Sequence, residues 1–151
     1  DNLVLIAYVS AHGSTEVMAE HLKTALEKRG VKVEMKNLIG LPLNEMAGVL
    51  TDAGTIVLGS SVIMAALHPL AVYVAFLLDR LKPKAKYAAV IGSYGWSPNP
   101  LKNADKLLPS WKTEVVGSVI SKGKPGDETF AELDRLADTI AAKHKEAGYA
   151  A

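Results

Sequence analysis

Leu3-Val4-Leu5-Ile6-Ala7-Tyr8-Val9-Ser10-Ala11-His12-Gly13-Ser14-Thr15-Glu16 decides the fold. Its first half, Leu3 to Val9, is apolar without a break, which is the pattern of a parallel strand buried on both faces. A polar, Gly-containing turn follows. From Thr15 or Glu16 a helical pattern begins, with Val17, Met18, His21, Leu22, Ala25 and Leu26 at three- and four-residue spacing. Lys28 and Arg29 put cations on the carbonyl end of that helix, and Gly30 stops it. Val31 to Lys36 then alternates with period two, which predicts a strand half exposed at a sheet edge.

Working outward, the alternation of strand and helix continues. Leu43 to Leu50, entered after Pro42, reads as a short helix. Thr55 to Gly59 reads as a buried strand and Ser60 to Leu67 as a long turn. Pro69 suits a first helical position, and the helix it opens carries Leu70, Val74, Leu77, Leu78 and Leu81 on one stripe before Lys82-Pro83-Lys84 ends it. Tyr87 to Gly92 is a fourth strand, Lys102 to Leu108 a poor helix, and Glu114 to Ile120 a fifth strand. After Gly123-Lys124-Pro125-Gly126, a final helix runs from Asp127, its expected N-cap, to about His144. Strict alternation of this kind predicts right-handed crossovers and an α/β fold, a parallel sheet with helices on both faces. We find no repeat and no linker, so one domain over residues 1–151 is expected.

Composition narrows the chemistry. The 151 residues are 49% hydrophobic and 22% charged, which excludes disorder and coiled coils. There is no cysteine, so disulfides, thiolate metal sites and cysteine nucleophiles are excluded. The four histidines, His12, His21, His68 and His144, show no metal-ligand spacing, and no metal site is expected. A net charge of +1 and 6% aromatic residues give no nucleic-acid signature. The charge is uneven, however. Asp79 to Pro125 holds nine Lys/Arg against three acids, net +6, and the remainder holds eight against thirteen, net −5. That stretch is either a solvated surface or a docking face for an acidic partner. No basic n-region precedes the first strand, and Val62 to Leu78 is broken by His68-Pro69, so neither a leader nor a membrane span is expected. A cytoplasmic protein is the expectation. The start at Asp1-Asn2 suggests a processed chain or a domain cut from a longer one.

Ligands of open parallel sheets sit at the carboxyl ends of the strands, where strand order reverses. Three segments are therefore candidates. Ser10-Ala11-His12-Gly13-Ser14-Thr15 gathers hydroxyls, backbone N–H groups, a glycine and a helix N-terminus, which suits a phosphate monoester. It lacks the spacing of a nucleotide-triphosphate loop and of a dinucleotide fingerprint. The alternative is that Ser14 or Thr15 simply caps the helix. Gly59-Ser60-Ser61-Val62-Ile63-Met64-Ala65-Ala66 is unusually apolar for a connection, which suits packing against a flat ring or under its own helix. Ser93-Tyr94-Gly95-Trp96-Ser97 sets two aromatics around a glycine, either a stacking wall or a lid on the sheet edge. Together they outline a phosphate at one end and a planar ring at the other, the shape of flavin mononucleotide (FMN).

These residues also resemble a known family. Tyr8-x-Ser10-x-His12-Gly13-Ser14-Thr15-Glu16-x-Met18-Ala19, Lys82-Pro83-Lys84, Gly92-Ser93-Tyr94-Gly95-Trp96-Ser97 and Lys122-Gly123-Lys124-Pro125 are similar to the flavodoxin-like FMN domain of flavodiiron proteins, the A-type flavoproteins. The resemblance implies a flavodoxin-like three-layer α/β/α sandwich with a five-stranded parallel sheet in the order 2-1-3-4-5. It implies FMN as cofactor, with its phosphate on Ser10, Ala11, His12, Gly13, Ser14 and Thr15. The ring would lie between Ser60, Ser61, Val62, Ile63 and Met64 on one side and Ser93, Tyr94, Gly95 and Trp96 on the other. Where the family carries Pro-Thr and then Asn, this chain has Ser61-Val62-Ile63-Met64.

The function the resemblance implies is electron transfer to a diiron β-lactamase-like partner domain that reduces O2 or NO, on the same or a separate chain. Electrons would come from a donor such as a rubredoxin or a flavin reductase. No catalytic acid, base or nucleophile is expected, and the chain would be the electron-transfer half of an oxidoreductase rather than a self-contained catalyst. Two other readings stand beside it: a free-standing NAD(P)H- or quinone-linked FMN reductase, and an interaction module that keeps the fold without the cofactor.

Overall fold

Strand β1 (Leu3–Val9) is buried from Val4 onward, as its unbroken apolar run predicts. The computed structural model describes residues 2–9, 13–37, 53–63, 66–67, 86–94, 114–122 and 124–149. Helix α1 (Ser14–Lys28) follows β1, and strand β2 (Lys32–Asn37) lies parallel to it with Leu3 opposite Lys32 and Tyr8 opposite Asn37. The remaining described elements are β3 (Thr55–Ile63), β4 (Ala66–Leu67), β5 (Tyr87–Tyr94), β6 (Glu114–Lys122) and α2 (Asp127–Glu146). The sheet order is β2-β1-β3-β5-β6, with every neighbouring pair parallel and β4 attached only to β3. Counting the five long strands alone, this is the expected order 2-1-3-4-5. The helices expected at Leu43–Leu50, Pro69–Leu81 and Lys102–Leu108 lie outside the described residues.

Both faces of the sheet are dry. Val4, Ile6, Tyr8, Val57, Ala89, Ile91 and Val119 pack in one cluster with Met18, Leu22 and Leu26 of α1 and Leu133, Leu136 and Ile140 of α2. The alternate positions Leu5, Ala7, Val9, Ile56, Leu58, Ala88 and Val90 are equally buried, so the sheet is the middle of three layers. β2 has no fully buried residue, in keeping with an edge strand. Helices α1 and α2 lie side by side and are joined at their surface. His21 Nε2 meets Asp134 Oδ1 at 2.9 Å while its ring stacks on Phe130, and Arg29 Nε donates to Asp138 Oδ1 at 2.6 Å. Such exposed pairs contribute little beside the apolar seam beneath them.

Helix ends follow local rules with one exception. Gly30 (φ +80°) ends α1 with Gly30 N–H on Glu27 O and Val31 N–H on Leu26 O, the paired bonds of a left-handed stop. Gly148 (φ +77°) ends α2 in the same way, with bonds to Lys145 O and His144 O. The exception is Asp127. Gly126 is the N-cap of α2, because its carbonyl receives the first helical bond, from Phe130 N–H at 3.0 Å. Asp127 already sits in the first turn with Glu128, where carboxylates meet the positive end of the helix dipole.

The expected turn from Ser60 to Leu67 is also corrected. β3 runs on to Ile63 and pairs antiparallel with β4, Val62 opposite Leu67 and Ile63 opposite Ala66. Val62 and Ile63 are β-branched, and the backbone they favour is extended. β5 and β6 likewise outrun their expected ends by two residues each, reaching Tyr94 and Lys122.

At the opposite, amino-terminal end of the sheet a fully buried histidine is satisfied on both nitrogens. Asn2 Nδ2 donates to Gly30 O at 2.9 Å, so Asn2 Oδ1 must accept from His144 Nδ1–H at 3.0 Å. Nε2 is then the acceptor for the Thr55 hydroxyl at 2.6 Å. Tyr87 and Tyr149 flank the ring. These partners are neutral, and burial holds His144 well below its ordinary value of 6.5, at about 4. A histidine whose folded value is depressed contributes stability that is complete above its unfolded value and is lost as pH falls toward the folded one. Between pH 6.5 and 4, unfolding therefore takes up one extra proton at this site. The wild-type stability should fall by up to about 1.4 kcal/mol per pH unit more steeply than that of His144→Gln. Urea titrations of both proteins at pH 7, 6, 5 and 4 check this; parallel pH profiles would refute it.

Candidate functional site

The strand register brings the three candidate segments to one edge. Val9, the last residue of β1, stands opposite Ser60 of β3, Ser60 stands opposite Gly92 of β5, and Ser61 stands opposite Ser93. Neighbouring strands lie about 4.8 Å apart, so the chain leaves β1, β3 and β5 within one narrow strip. Strand order reverses at β1 and β3, which is where such sheets hold ligands. Gly13, Ser14, Thr15, Ser60, Ser61, Val62, Ile63, Ser93 and Tyr94 are placed at or beside this edge. Ser10, Ala11, His12, Met64, Gly95 and Trp96 lie outside the described residues.

The first turn of α1 has an unusual entry. Gly13 is its N-cap at φ +83°, a left-handed conformation that favours glycine, and Val17 N–H closes the first helical bond on Gly13 O at 3.0 Å. Among the described residues no side chain caps the helix. Ser14 and Thr15 lie inside the helix, which excludes the alternative capping role for them. A helix leaves its first N–H groups without acceptors of its own, and here they carry the positive end of the dipole at the strip where the three strands end. Backbone donors, the Ser14 hydroxyl and the positive end of a helix dipole together fit a small anion such as a phosphate.

Thr15 and Ser93 do something the sequence does not announce. Thr15 is fully buried, Ser93 is nearly so, and their hydroxyl oxygens lie 3.4 Å apart, tying the start of α1 to the end of β5. Beside them Tyr8 donates its phenol to Glu16 Oε1 at 3.3 Å. Burial first, then the Glu16 carboxylate, pushes the Tyr8 phenol above its ordinary range, so it stays a donor.

Gly59 of β3 underlies this knot. A Cβ at Gly59 would stand 3.0 Å from Tyr8 Cβ, 3.2 Å from Thr15 Cγ2 and 3.3 Å from Ile91 Cγ1. In the sequence Gly59 reads as the end of a strand and the head of an apolar loop; a glycine inside an apolar strand pattern is itself the signal of a close approach. Among the described residues no three His, Asp or Glu side chains gather as a metal site, and no helix is long and apolar enough to cross a membrane.

No family model matches the chain. Curated relatives do. Rubredoxin-oxygen oxidoreductase of Megalodesulfovibrio gigas is 27% identical over 145 residues, 93% of this chain and 35% of that protein. Type A flavoprotein fprA of Rhodobacter capsulatus is 30% identical over 117 residues, 76% of this chain and 27% of that protein. The chain thus spans about a third or less of the length of these relatives. Among solved structures, rubredoxin oxygen:oxidoreductase of Desulfovibrio gigas superposes with a TM-score of 0.90 at 26% identity, over 97% of this chain and 37% of that one. A flavodoxin from the domain Archaea superposes with a TM-score of 0.77 at 28% identity, over 95% of this chain and 99% of that one. The chain is a flavodoxin-like domain whose homologues and structural neighbours are the flavodiiron proteins and the flavodoxins.

Proposed function

We propose that the chain is an FMN-binding electron-transfer domain. One observation carries this reading: the start of α1, with Gly13 left-handed and Ser14 in the first turn, stands at the strip where β1, β3 and β5 end together. Likeness to rubredoxin-oxygen oxidoreductase and to a type A flavoprotein supports it.

Ser10 to Thr15 would hold the phosphate through main-chain N–H groups and hydroxyls. The stretches 60–64 and 93–96 would enclose the ring. Bound FMN supplies one- and two-electron transfer, and the chain's own work is to bind it, orient it and exclude water from its faces. Ser14 offers a hydroxyl donor in the first turn of α1. Thr15, paired with Ser93, holds the helix start against the sheet.

In this reading the electrons go to a diiron β-lactamase-like domain, on the same or a separate chain, and arrive from a donor protein such as a rubredoxin. The similarity to an archaeal flavodoxin along 99% of that chain favours a second reading, a carrier that works free of any fused partner. Both readings assign the same roles to the same residues.

The first test is reconstitution. The protein should turn yellow with FMN, and Ser14→Ala/Thr15→Ala should weaken FMN at least about tenfold, the loss of one or more hydrogen bonds to a charged group. Riboflavin, which has no phosphate, should bind both proteins within about threefold of each other. A protein that stays colourless after incubation with FMN would sink the reading. A second test separates a relay from a reductase. NAD(P)H alone should leave the flavin absorbance of the loaded protein unchanged, and reduced rubredoxin or a flavin reductase with its substrate should bleach it. Direct bleaching by NAD(P)H would instead make the chain a reductase in its own right.

A further inference from the structure

We infer that Gly59 is a positioning residue for the phosphate end of the site, acting through Thr15. The inference rests on the flavin reading and goes beyond it, because Gly59 is not among the residues assigned to the phosphate or to the ring.

Space is the first consideration. Gly59 stands opposite Tyr8 on one side and Ile91 on the other, in the interior of the sheet. The point where its Cβ would lie is closed in by β1, by α1 and by β5 at 3.0, 3.2 and 3.3 Å. These are distances at which a neighbour must give by some tenths of an ångström. Tyr8 contributes its own Cβ, which is fixed to the backbone of β1 and cannot yield alone. Ile91 is fully buried inside β5. The movable neighbour is Thr15, at the first turn of a helix rather than inside the sheet.

Thr15 cannot turn away cheaply. It is β-branched, so only two side-chain settings are common for it in a helix, and it has no exposed surface. Its hydroxyl is engaged with Ser93 at 3.4 Å, and rotating the methyl away from Gly59 would break that contact. A methyl at residue 59 is therefore relieved by lifting the start of α1 off the sheet. Main-chain N–H groups move rigidly with their helix, so a shift there misplaces the phosphate donors together. Residues 60–63, 93 and 94 of the ring-facing stretches belong to the sheet strands, which keep their place. Gly59→Ala should thus act on the phosphate more than on the ring.

The test compares FMN with riboflavin on the full chain, by fluorescence quenching, with a thermal melt of each variant. Gly59→Ala should weaken FMN about tenfold, the scale of one charge-assisted hydrogen bond, and riboflavin by less than about threefold. Thr15→Ser removes the methyl that the new Cβ would meet and keeps the hydroxyl. In the Thr15→Ser background, adding Gly59→Ala should therefore cost less than about threefold in FMN affinity. This second comparison stands even if the single Gly59→Ala variant does not fold. A merely structural glycine would lower both flavins together and would not be rescued by Thr15→Ser. Equal FMN binding by wild type and Gly59→Ala, or a further tenfold loss in the Thr15→Ser background, overturns the inference and leaves the flavin reading intact. A wild type that binds neither flavin overturns both.

Discussion

Parallel pairing on both edges of β1 is the constraint from which the rest of the molecule follows. β1 pairs with β2 from Leu3 to Tyr8 and with β3 from Val4 to Val9, so neither edge is free and both faces must be covered. Parallel neighbours cannot be joined by a tight turn; the chain must cross back over a face before each new strand. α1 is such a crossover, and its apolar stripe of Met18, Leu22 and Leu26 closes one face of the sheet. The same rule makes every long strand point the same way. Chain exits therefore gather at one end of the sheet and chain entries at the other, and this separates the site from its foundation.

Each end carries a buried polar link, and the two do different work. At the entry end, Gly30 O, Asn2, His144 and Thr55 form a chain of hydrogen bonds in which each group has one possible role. It joins the turn after α1, the lead into β1, the start of β3 and the last turn of α2. A hydrogen bond of this kind contributes only about 1 kcal/mol net, but leaving one buried partner unmatched costs about 1–3 kcal/mol. The network therefore specifies one arrangement more than it stabilises it. At the exit end, Thr15 and Ser93 join α1 to β5 across Gly59. There the polar atoms sit beside the strip where the loops depart, so the same kind of link sets the pose of the helix end at the candidate site.

How much of this was legible follows from the range of each signal. The buried run of β1, the alternation of β2 and the glycine stops at Gly30 and Gly148 are local, and local rules find the first three directly from Leu3–Val9, Val31–Lys36 and Gly30. The exit loops could be singled out as candidates because hydroxyls and glycines at a strand–helix junction have a chemical meaning on their own. Asp127 misled because an acidic residue favours both the N-cap and the first turn, and only the Phe130 N–H bond to Gly126 O decides between them. The reach of β3 to Ile63 depends on a partner, β4, that no window of sequence reveals. His144, Thr15–Ser93 and Gly59 are contacts between residues dozens of positions apart. The sequence offers a polar residue in an apolar stripe or a glycine in a strand, and leaves the partner unnamed.

The loop proposed for the phosphate carries no lysine or arginine of its own. Residues 10–16 contain no Lys or Arg, and the one carboxylate among them, Glu16, is held by the Tyr8 phenol. A dianion would be met by N–H groups, hydroxyls and the half-charge of a helix end. Such donors differ from a lysine in one respect that governs the design around them. A lysine carries its charge on a flexible stem and can follow a ligand; an amide on a helix is only as well placed as the helix itself. Accuracy must then come from the seat of α1. That seat is the apolar seam against β1 and α2, the hydroxyl pair at Ser93, and the missing side chain at Gly59 that lets Thr15 come down onto the sheet. A phosphate loop without a lysine of its own and a closely seated helix are, in the proposed reading, one requirement met twice.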